Sequence, residues 1–134
     1  MNQQDEQLLK EAQRAYANAY APYSKFQVGA AVLLKSGEII LGANVENASY
    51  GLTNCAERSA LFTAYSKGYR REDIEAIAIT ANCERPISPC GACRQVMSEL
   101  MPREARIILS NITGDVKEVS LQDLLPYTFT SEDL

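Results

Sequence analysis

The order of apolar and polar segments is the feature that most restricts how this chain of 134 residues can fold. An amphipathic helical pattern comes first, then two apolar segments joined by a Lys-Ser-Gly-Glu turn, and helical and strand patterns alternate after that. The predicted helices cover residues 4–20, 55–67, 89–101 and a short turn at 121–125, and the predicted strands cover residues 27–34, 39–45, 76–81, 106–109 and 116–120. A hairpin followed by strand–helix alternation predicts an α/β fold with a mixed sheet and helices on both faces.

Length, charge and hydropathy exclude several classes of protein. No repeat, low-complexity tract or linker is visible, so residues 1–134 are predicted to form one domain. The formal net charge of −4 argues against a nucleic-acid partner, because phosphate binding requires a basic face. The longest apolar run, residues 28–34, is too short to span a membrane, and the polar, acidic start is unlike a secretory signal. We therefore expect a cytoplasmic protein with no membrane partner.

The chain has four cysteines and no histidine. The absence of histidine excludes Ser–His and Cys–His nucleophile pairs and any metal site that needs an imidazole. Any transition metal would be held by thiolates and carboxylates, and any proton would be moved by a carboxylate, Lys, Tyr or water. In a reducing cytoplasm, cysteines are more often ligands or catalysts than disulfide partners.

The strongest local motif is Pro-Cys-Gly-Ala-Cys at residues 89–93, and Ser88 before it is predicted as the N-cap of a helix with proline at its first position. Cys90 and Cys93 point the same way in the first turn of a predicted helix, whose N-terminus favours the thiolate. A lone Cys-x-x-Cys motif is either a redox dithiol or half of a zinc site. Cys55 begins another predicted helix, with Glu57 two residues later. If the two helix starts converge, three thiolates leave one tetrahedral position open, which is typical of catalytic zinc.

The local sequence leaves other interpretations open. The Cys-x-x-Cys motif can be a redox pair, and Cys55 can be a small core residue. Glu57 can be a capping residue, since Asn54 is predicted as the helix N-cap. Cys83 distinguishes a catalytic zinc site from a structural one, because a fourth thiolate would close the coordination shell, as in a structural site. We predict that Cys83 is not a ligand.

Four segments in order resemble the small, zinc-dependent cytidine deaminases that act on free nucleosides. They are YAPYSKFQVGAA at 20–31, GANVENASYG at 42–51, CAER at 55–58 and PCGACRQ at 89–95. The resemblance spans most of the chain and implies a three-layer α-β-α sandwich with a mixed five-stranded sheet. It implies hydrolysis of cytidine and deoxycytidine to uridine and deoxyuridine plus ammonia, in pyrimidine salvage. Family members of this length are homotetramers, which implies self-association with shared active sites.

The resemblance also implies roles for individual residues around a metal. Cys55, Cys90 and Cys93 would bind one Zn²⁺ per chain, with water as the fourth ligand. Glu57 would take a proton from that water and deliver protons to ring N3 and to the leaving amine. Arg58 resembles the arginine that hydrogen-bonds a ligand cysteine in members with three cysteine ligands, where it offsets the excess negative charge.

Substrate contacts follow from the same resemblance. Phe26 resembles the aromatic residue that stacks on the pyrimidine, and Asn44 with Glu46 resembles the pair that binds the ribose 3′-hydroxyl. The remaining implied substrate-binding positions are Ala56 in the same chain and Ala48, Tyr50 and Phe129, which match positions that reach a neighbouring subunit's site.

Three other functions are open at this point. The first is a deaminase of a polynucleotide or of another aminopyrimidine, such as a blasticidin-type nucleoside. Cys55 in the place of a histidine ligand and the negative net charge oppose a polynucleotide substrate, and Phe26 with the Asn-Val-Glu segment at 44–46 favours a nucleoside. The other two are a structural zinc module without activity, which would use Cys83, and a redox dithiol without zinc.

Overall fold

Four α-helices and five β-strands follow one another in the predicted order. The structure is a computed structural model that describes all residues, Met1–Leu134. The elements are α1 (Gln3–Ala17), β1 (Val28–Leu34), β2 (Ile39–Ala43), α2 (Ala56–Ser66), β3 (Ile74–Ala81), α3 (Gly91–Leu100), β4 (Arg106–Ser110), β5 (Val116–Val119) and α4 (Leu121–Leu124). Short 3₁₀ turns lie at Tyr50–Leu52, Arg71–Asp73 and Ser131–Asp133.

The five strands form one mixed sheet in the order β2-β1-β3-β4-β5. Strands β3 and β4 pair in parallel, and all other neighbouring strands pair antiparallel. Helix α1 packs on one face of the sheet, and helices α2 and α3 pack on the other. The predicted α/β fold, a three-layer α-β-α sandwich with a mixed five-stranded sheet, is therefore confirmed.

Alternate residues of the central strands point into two separate hydrophobic clusters. On one face, Ile77 of β3 belongs to a cluster with Leu61 of α2 and Met97 of α3. On the other face, Ala78 of β3 belongs to a cluster with Leu8 of α1. Because helices cover both faces of the sheet, its central strands are apolar runs rather than alternating patterns.

The element boundaries differ from the prediction where tertiary contacts use the backbone. Helix α1 ends at Ala17 rather than at Tyr20, because the Tyr20 N–H donates to the Asn44 carbonyl oxygen at 2.9 Å. Strand β2 ends at Ala43, two residues before its predicted end, because the chain turns toward Tyr20 at Asn44. Strand β3 begins at Ile74, two residues earlier than predicted.

Two glycines let the helices approach the sheet very closely. A Cβ atom added at Gly29 of β1 would overlap the backbone of α1 at Ala12 and Tyr16. A Cβ atom at Gly42 of β2 would overlap the backbone of α2 near Ala60. Helix α2 is therefore held close to β2, and this contact positions the start of α2 against the sheet.

Replacing Gly29 with alanine is expected to destabilise the chain by about 3 kcal/mol, because the added methyl group meets helix backbone that cannot rotate away. For a chain of this size, that loss corresponds to a fall of roughly 10 °C in Tm, measured by calorimetry. Gly51→Ala is the matched control, since a Cβ atom there meets nothing within 4 Å. A Gly29→Ala variant as stable as this control would contradict the close approach.

Candidate active site

The N-termini of α2 and α3 meet, and a cysteine caps each of them. Cys55 is the N-cap of α2 and Cys90 is the N-cap of α3, both with extended backbone. The predicted caps, Asn54 for α2 and Ser88 for α3, are therefore wrong. The Cys90 sulfur itself accepts from the Cys93 N–H at 3.4 Å, which is the contact that a serine or aspartate cap would make.

Three thiols converge at this point. The Sγ atoms of Cys55, Cys90 and Cys93 all lie within 4.8 Å of one another, and Cys55 Sγ is 3.9 Å from Cys90 Sγ. Sulfurs bound to one tetrahedral zinc at ordinary bond lengths are about 3.8 Å apart. The three thiols are thus spaced and chemically suited to hold one zinc ion. The predicted convergence of the two helix starts is present in the structure.

Cys83 lies outside this cluster. Its thiol donates to the Arg85 carbonyl oxygen at 3.0 Å, and its side chain packs against the main hydrophobic cluster. A site with four thiolates, which the structural zinc hypothesis requires, is therefore not formed by this chain.

Positive charge faces the cluster from one side. Arg58 Nη2 donates to Cys55 Sγ at 3.2 Å, one helical turn from the N-cap. Hydrogen bonding from Cys93 and then from Arg58 lowers the pKa of Cys55 to about 5. The N-terminal N–H groups of both helices also favour negative charge here. These contacts stabilise the thiolate of Cys55, the form in which cysteine binds a metal.

Glu57 is a buried carboxylic acid next to the thiols. Glu57 is only 4% exposed, and its carboxyl group forms no salt bridge. Burial raises the pKa of Glu57 to about 7. Because Cys55 is the N-cap, Glu57 is the second residue of α2 rather than the third, so the reciprocal capping role considered for it does not apply. A buried carboxyl group without a cation is costly, which is typical of a functional residue.

A cavity of about 250 Å³ opens beside Glu57 and the thiols. Among the residues predicted to contact substrate, the cavity is lined by Phe26, Asn44, Glu46, Tyr50 and Ala56. Six further lining residues were not predicted from the sequence: Ser24, Val28, Thr53, Asn54, Ile87 and Ser88. Five of the six lie within two residues of a predicted site residue, and Ile87 lies three residues before Cys90, so proximity in the sequence is the signal that could have identified them.

The amide of Asn44 and the carboxylate of Glu46 hold the loop that carries Phe26. Asn44 Nδ2 donates to the Phe26 carbonyl oxygen at 2.8 Å, and Asn44 Oδ1 accepts from the Val28 N–H at 2.9 Å. Glu46 Oε1 accepts from the N–H groups of Tyr23 and Ser24 at 3.0 and 3.1 Å. Both side chains thus stabilise the cavity wall as well as facing the cavity.

Two of the predicted residues lie elsewhere in this chain. Phe129 is 56% exposed and lines a different cavity, between α3 and the C-terminal segment, where its carbonyl oxygen accepts from Gln95 Nε2 at 3.0 Å. Ala48 is exposed in the loop that precedes the Tyr50–Leu52 turn and does not line the cavity beside Glu57. Neither residue contacts the thiol cluster of its own chain.

The fold and the site together define a class of protein. Three cysteine ligands leave one coordination position for water, and a buried carboxylate beside them can move protons to and from that position. This combination is characteristic of hydrolases that use a single zinc ion.

Comparison with known proteins identifies the family within this class. The model of the cytidine and deoxycytidylate deaminase zinc-binding region matches residues 2–109. A cytidine deaminase of Halalkalibacterium halodurans is 59% identical over 127 residues, which is 95% of each chain. The crystal structure of cytidine deaminase from Burkholderia pseudomallei has a TM-score of 0.91 and 50% identity, and the match covers 96% of this chain and 100% of that one. This chain belongs to the cytidine deaminase family.

The cofactor follows from the same findings. The matching family model describes a zinc-binding region, and the three thiols have the spacing that zinc requires. Zinc is therefore the cofactor, as predicted, with one ion for each three-cysteine cluster.

The structure contains no helix that is long and apolar enough to cross a membrane.

Proposed function

We propose that this chain catalyses the hydrolytic deamination of cytidine and deoxycytidine to uridine and deoxyuridine with release of ammonia. The observation that carries the proposal is the position of Glu57, buried at the wall of a nucleoside-sized cavity beside three convergent thiols. Cytidine deaminases are also the relatives that match nearly the whole chain.

In this proposal, Cys55, Cys90 and Cys93 are the zinc ligands. Bound zinc supplies a water that is acidic enough to act as a nucleophile near neutral pH. Glu57 accepts a proton from the water that attacks C4 and delivers it to ring N3. It then accepts the second proton of the added oxygen and delivers it to the amine as the C4–N bond breaks, so that uridine and ammonia form. One residue can do all of this because a carboxyl group in an apolar, buried position can both accept and release protons near neutrality.

The cavity wall supplies the contacts to the nucleoside. Phe26 is partly buried against the hydrophobic core and presents its ring to the cavity, where it stacks on the pyrimidine. Ala56 lines the cavity between Cys55 and Glu57. Asn44 and Glu46 bind the 3′-hydroxyl of the sugar and do not contact the 2′ position, so both ribose and deoxyribose substrates are accepted.

We also propose that the enzyme is a homotetramer whose sites are shared between subunits. Tyr50 is 83% exposed at the mouth of the cavity, and Leu52 in the same 3₁₀ turn is 70% exposed. Large apolar side chains exposed next to a site favour association with another protein surface. Ala48 and Tyr50 would contact a neighbouring subunit, and Phe129 would close over the base in a neighbouring site. Sedimentation analysis tests this, and a fully active monomer would contradict it.

The biological setting completes the proposal. Residues 1–134 are one cytidine deaminase domain, since a single sheet carries both hydrophobic clusters. All four cysteines are free, which fits a reducing cytoplasm and a role in pyrimidine salvage. The negative net charge favours a free nucleoside over a nucleic acid.

The activity is tested directly by adding cytidine to the purified, zinc-loaded protein and following the change in ultraviolet absorbance as uridine forms. Chromatographic detection of uridine and a separate ammonia assay identify both products. No reaction with cytidine or deoxycytidine, in protein that contains about one zinc per chain, would refute the proposed function.

Replacing Arg58 with alanine is expected to lower kcat by roughly 10- to 100-fold. Three thiolates give the zinc site a formal charge of −1, and the hydrogen bond from Arg58 to Cys55 withdraws part of that charge. The measurement is kcat together with zinc content. Arg14→Ala is the matched control, because Arg14 forms only an exposed ion pair with Glu11. An unchanged kcat in Arg58→Ala would contradict this role.

A further inference from the structure

The hydroxyl of Ser24 lies between two residues that face the cavity. It donates a hydrogen bond to Oε2 of Glu46 and accepts one from the Phe26 N–H at 3.0 Å. Ser24 also lines the cavity itself. One side chain thus connects the proposed sugar-binding carboxylate with the backbone of the proposed stacking residue.

The hydrogen bonds of Glu46 leave room for one more donor. A carboxylate has about four acceptor positions, two on each oxygen. Oε1 accepts from the N–H groups of Tyr23 and Ser24, and Oε2 accepts from the Ser24 hydroxyl. These hydrogen bonds, that of the Ser24 hydroxyl above all, hold the pKa of Glu46 below its usual range, so the group is a carboxylate at neutral pH. One acceptor position on Oε2 therefore remains for a hydroxyl group of a ligand.

The loop around Ser24 has a conformation that needs support. Lys25 has a φ of 62°, which is unfavourable for a residue with a side chain. Asn82 fixes the chain on the C-terminal side of Lys25, because Asn82 Oδ1 accepts from the Gln27 N–H at 3.2 Å. Ser24 and Asn82 thus secure the two sides of Lys25, and Phe26 follows directly in the chain.

We propose that Ser24 is a positioning residue for recognition of the sugar. Its hydroxyl orients the Glu46 carboxylate so that one acceptor position stays free for the 3′-hydroxyl. The same hydroxyl connects that carboxylate to the backbone of Phe26. The inference rests on the proposed function and deepens it. Ser24 contributes to binding of the sugar through Glu46, and it acts on substrate binding rather than on the transfer of protons.

The experiment compares Ser24→Ala with the wild-type enzyme on two substrates, cytidine and 2′,3′-dideoxycytidine. We expect the KM for cytidine to rise about 10-fold in Ser24→Ala, which corresponds to the loss of one hydrogen bond to a charged group. The kcat for cytidine should change by less than about twofold. The KM for 2′,3′-dideoxycytidine should change much less, because that substrate lacks the hydroxyl that Glu46 binds. Ser24→Thr keeps the hydroxyl and should restore most of the binding.

A matched control shows whether any loss is specific to the site. Ser36 makes a similar contact with the N–H two residues later, Glu38, but lies in the hairpin turn between β1 and β2. Ser36→Ala should leave both KM values unchanged. Ser24 is exposed, so Ser24→Ala is expected to fold with a Tm within about 2 °C of the wild type.

The outcomes separate the inference from the function on which it rests. An unchanged KM for cytidine in Ser24→Ala, an equal rise for both substrates, or no restoration by threonine would each overturn the role of Ser24 while the wild type remains active. If the wild-type enzyme deaminates neither substrate, the proposed function fails, and the inference fails with it.

Discussion

Replacing Glu57 with glutamine is expected to lower kcat for cytidine by roughly 10²–10⁴-fold while the protein keeps its zinc. Glutamine has nearly the same shape as glutamate but cannot accept or release a proton in the required steps. It fits the buried position at the start of α2, so the fold and the thiol cluster should not change. The measurements are the steady-state rate of uridine formation and the zinc content of the same sample.

The control for this variant is a carboxylate that is exposed and distant from the cavity. Glu72→Gln, in the 3₁₀ turn Arg71–Asp73, removes a similar charge without touching the site. Its kcat should equal that of the wild type. Substantial activity in Glu57→Gln would show that another group moves the protons, and loss of zinc would show that Glu57 is needed for the metal site itself.

Replacing Cys90 with serine is expected to remove zinc and abolish detectable deamination. Serine can still cap α3, with an oxygen in place of the Cys90 sulfur. It replaces a soft thiolate with a poor zinc ligand, so the affinity for zinc should fall by at least about 10²-fold. Cys90 is exposed, and the substitution therefore changes little packing. Metal analysis after dialysis against a chelator gives the zinc content, and the ultraviolet assay gives the activity.

Cys83→Ala is the matched control for the loss of a thiol. Cys83 lies outside the cluster and contacts only its own turn and the hydrophobic core. We expect about one zinc per chain and near-normal turnover in this variant. Loss of zinc from Cys83→Ala, or retention of zinc in Cys90→Ser, would contradict the assignment of the three ligands.

The zinc cluster was predictable because its signals are local. Cys90 and Cys93 are three residues apart at a helix start, and helical spacing also brings Arg58 to Cys55. What local sequence could not give was the convergence of α2 with α3, which depends on packing. The resemblance to a family supplied that part, and the structure shows the thiols together.

The exact starts of the two helices were predicted wrongly for a physical reason. Asn54 and Ser88 are better cap formers than cysteine, so propensity favoured them. In the structure Asn54 is already engaged, since its backbone pairs with Val45 and its amide donates to Ser59 Oγ at 3.1 Å. Tertiary contacts therefore moved the cap of α2 to the next residue, Cys55.

The contacts that shape the cavity wall join residues far apart in the chain and have no local signature. Asn82 binds a loop 55 residues earlier, and Glu46 accepts from the N–H groups of Tyr23 and Ser24, which are 23 and 22 residues earlier. Nothing in the sequence pairs these residues. For the same reason, the contacts of Ser24 with Glu46 and Phe26 emerge only from the folded structure.

The two N-cap cysteines also have a consequence for the lifetime of the protein. A metal that joins Cys55 to Cys90 connects positions 35 residues apart. Because it binds only the folded chain, its binding free energy adds to the stability of the fold. The metal-free chain should therefore unfold and be degraded sooner than the metal-loaded chain. Where zinc is scarce, the amount of this protein would fall together with its activity, so that the supply of the metal sets the abundance of the enzyme.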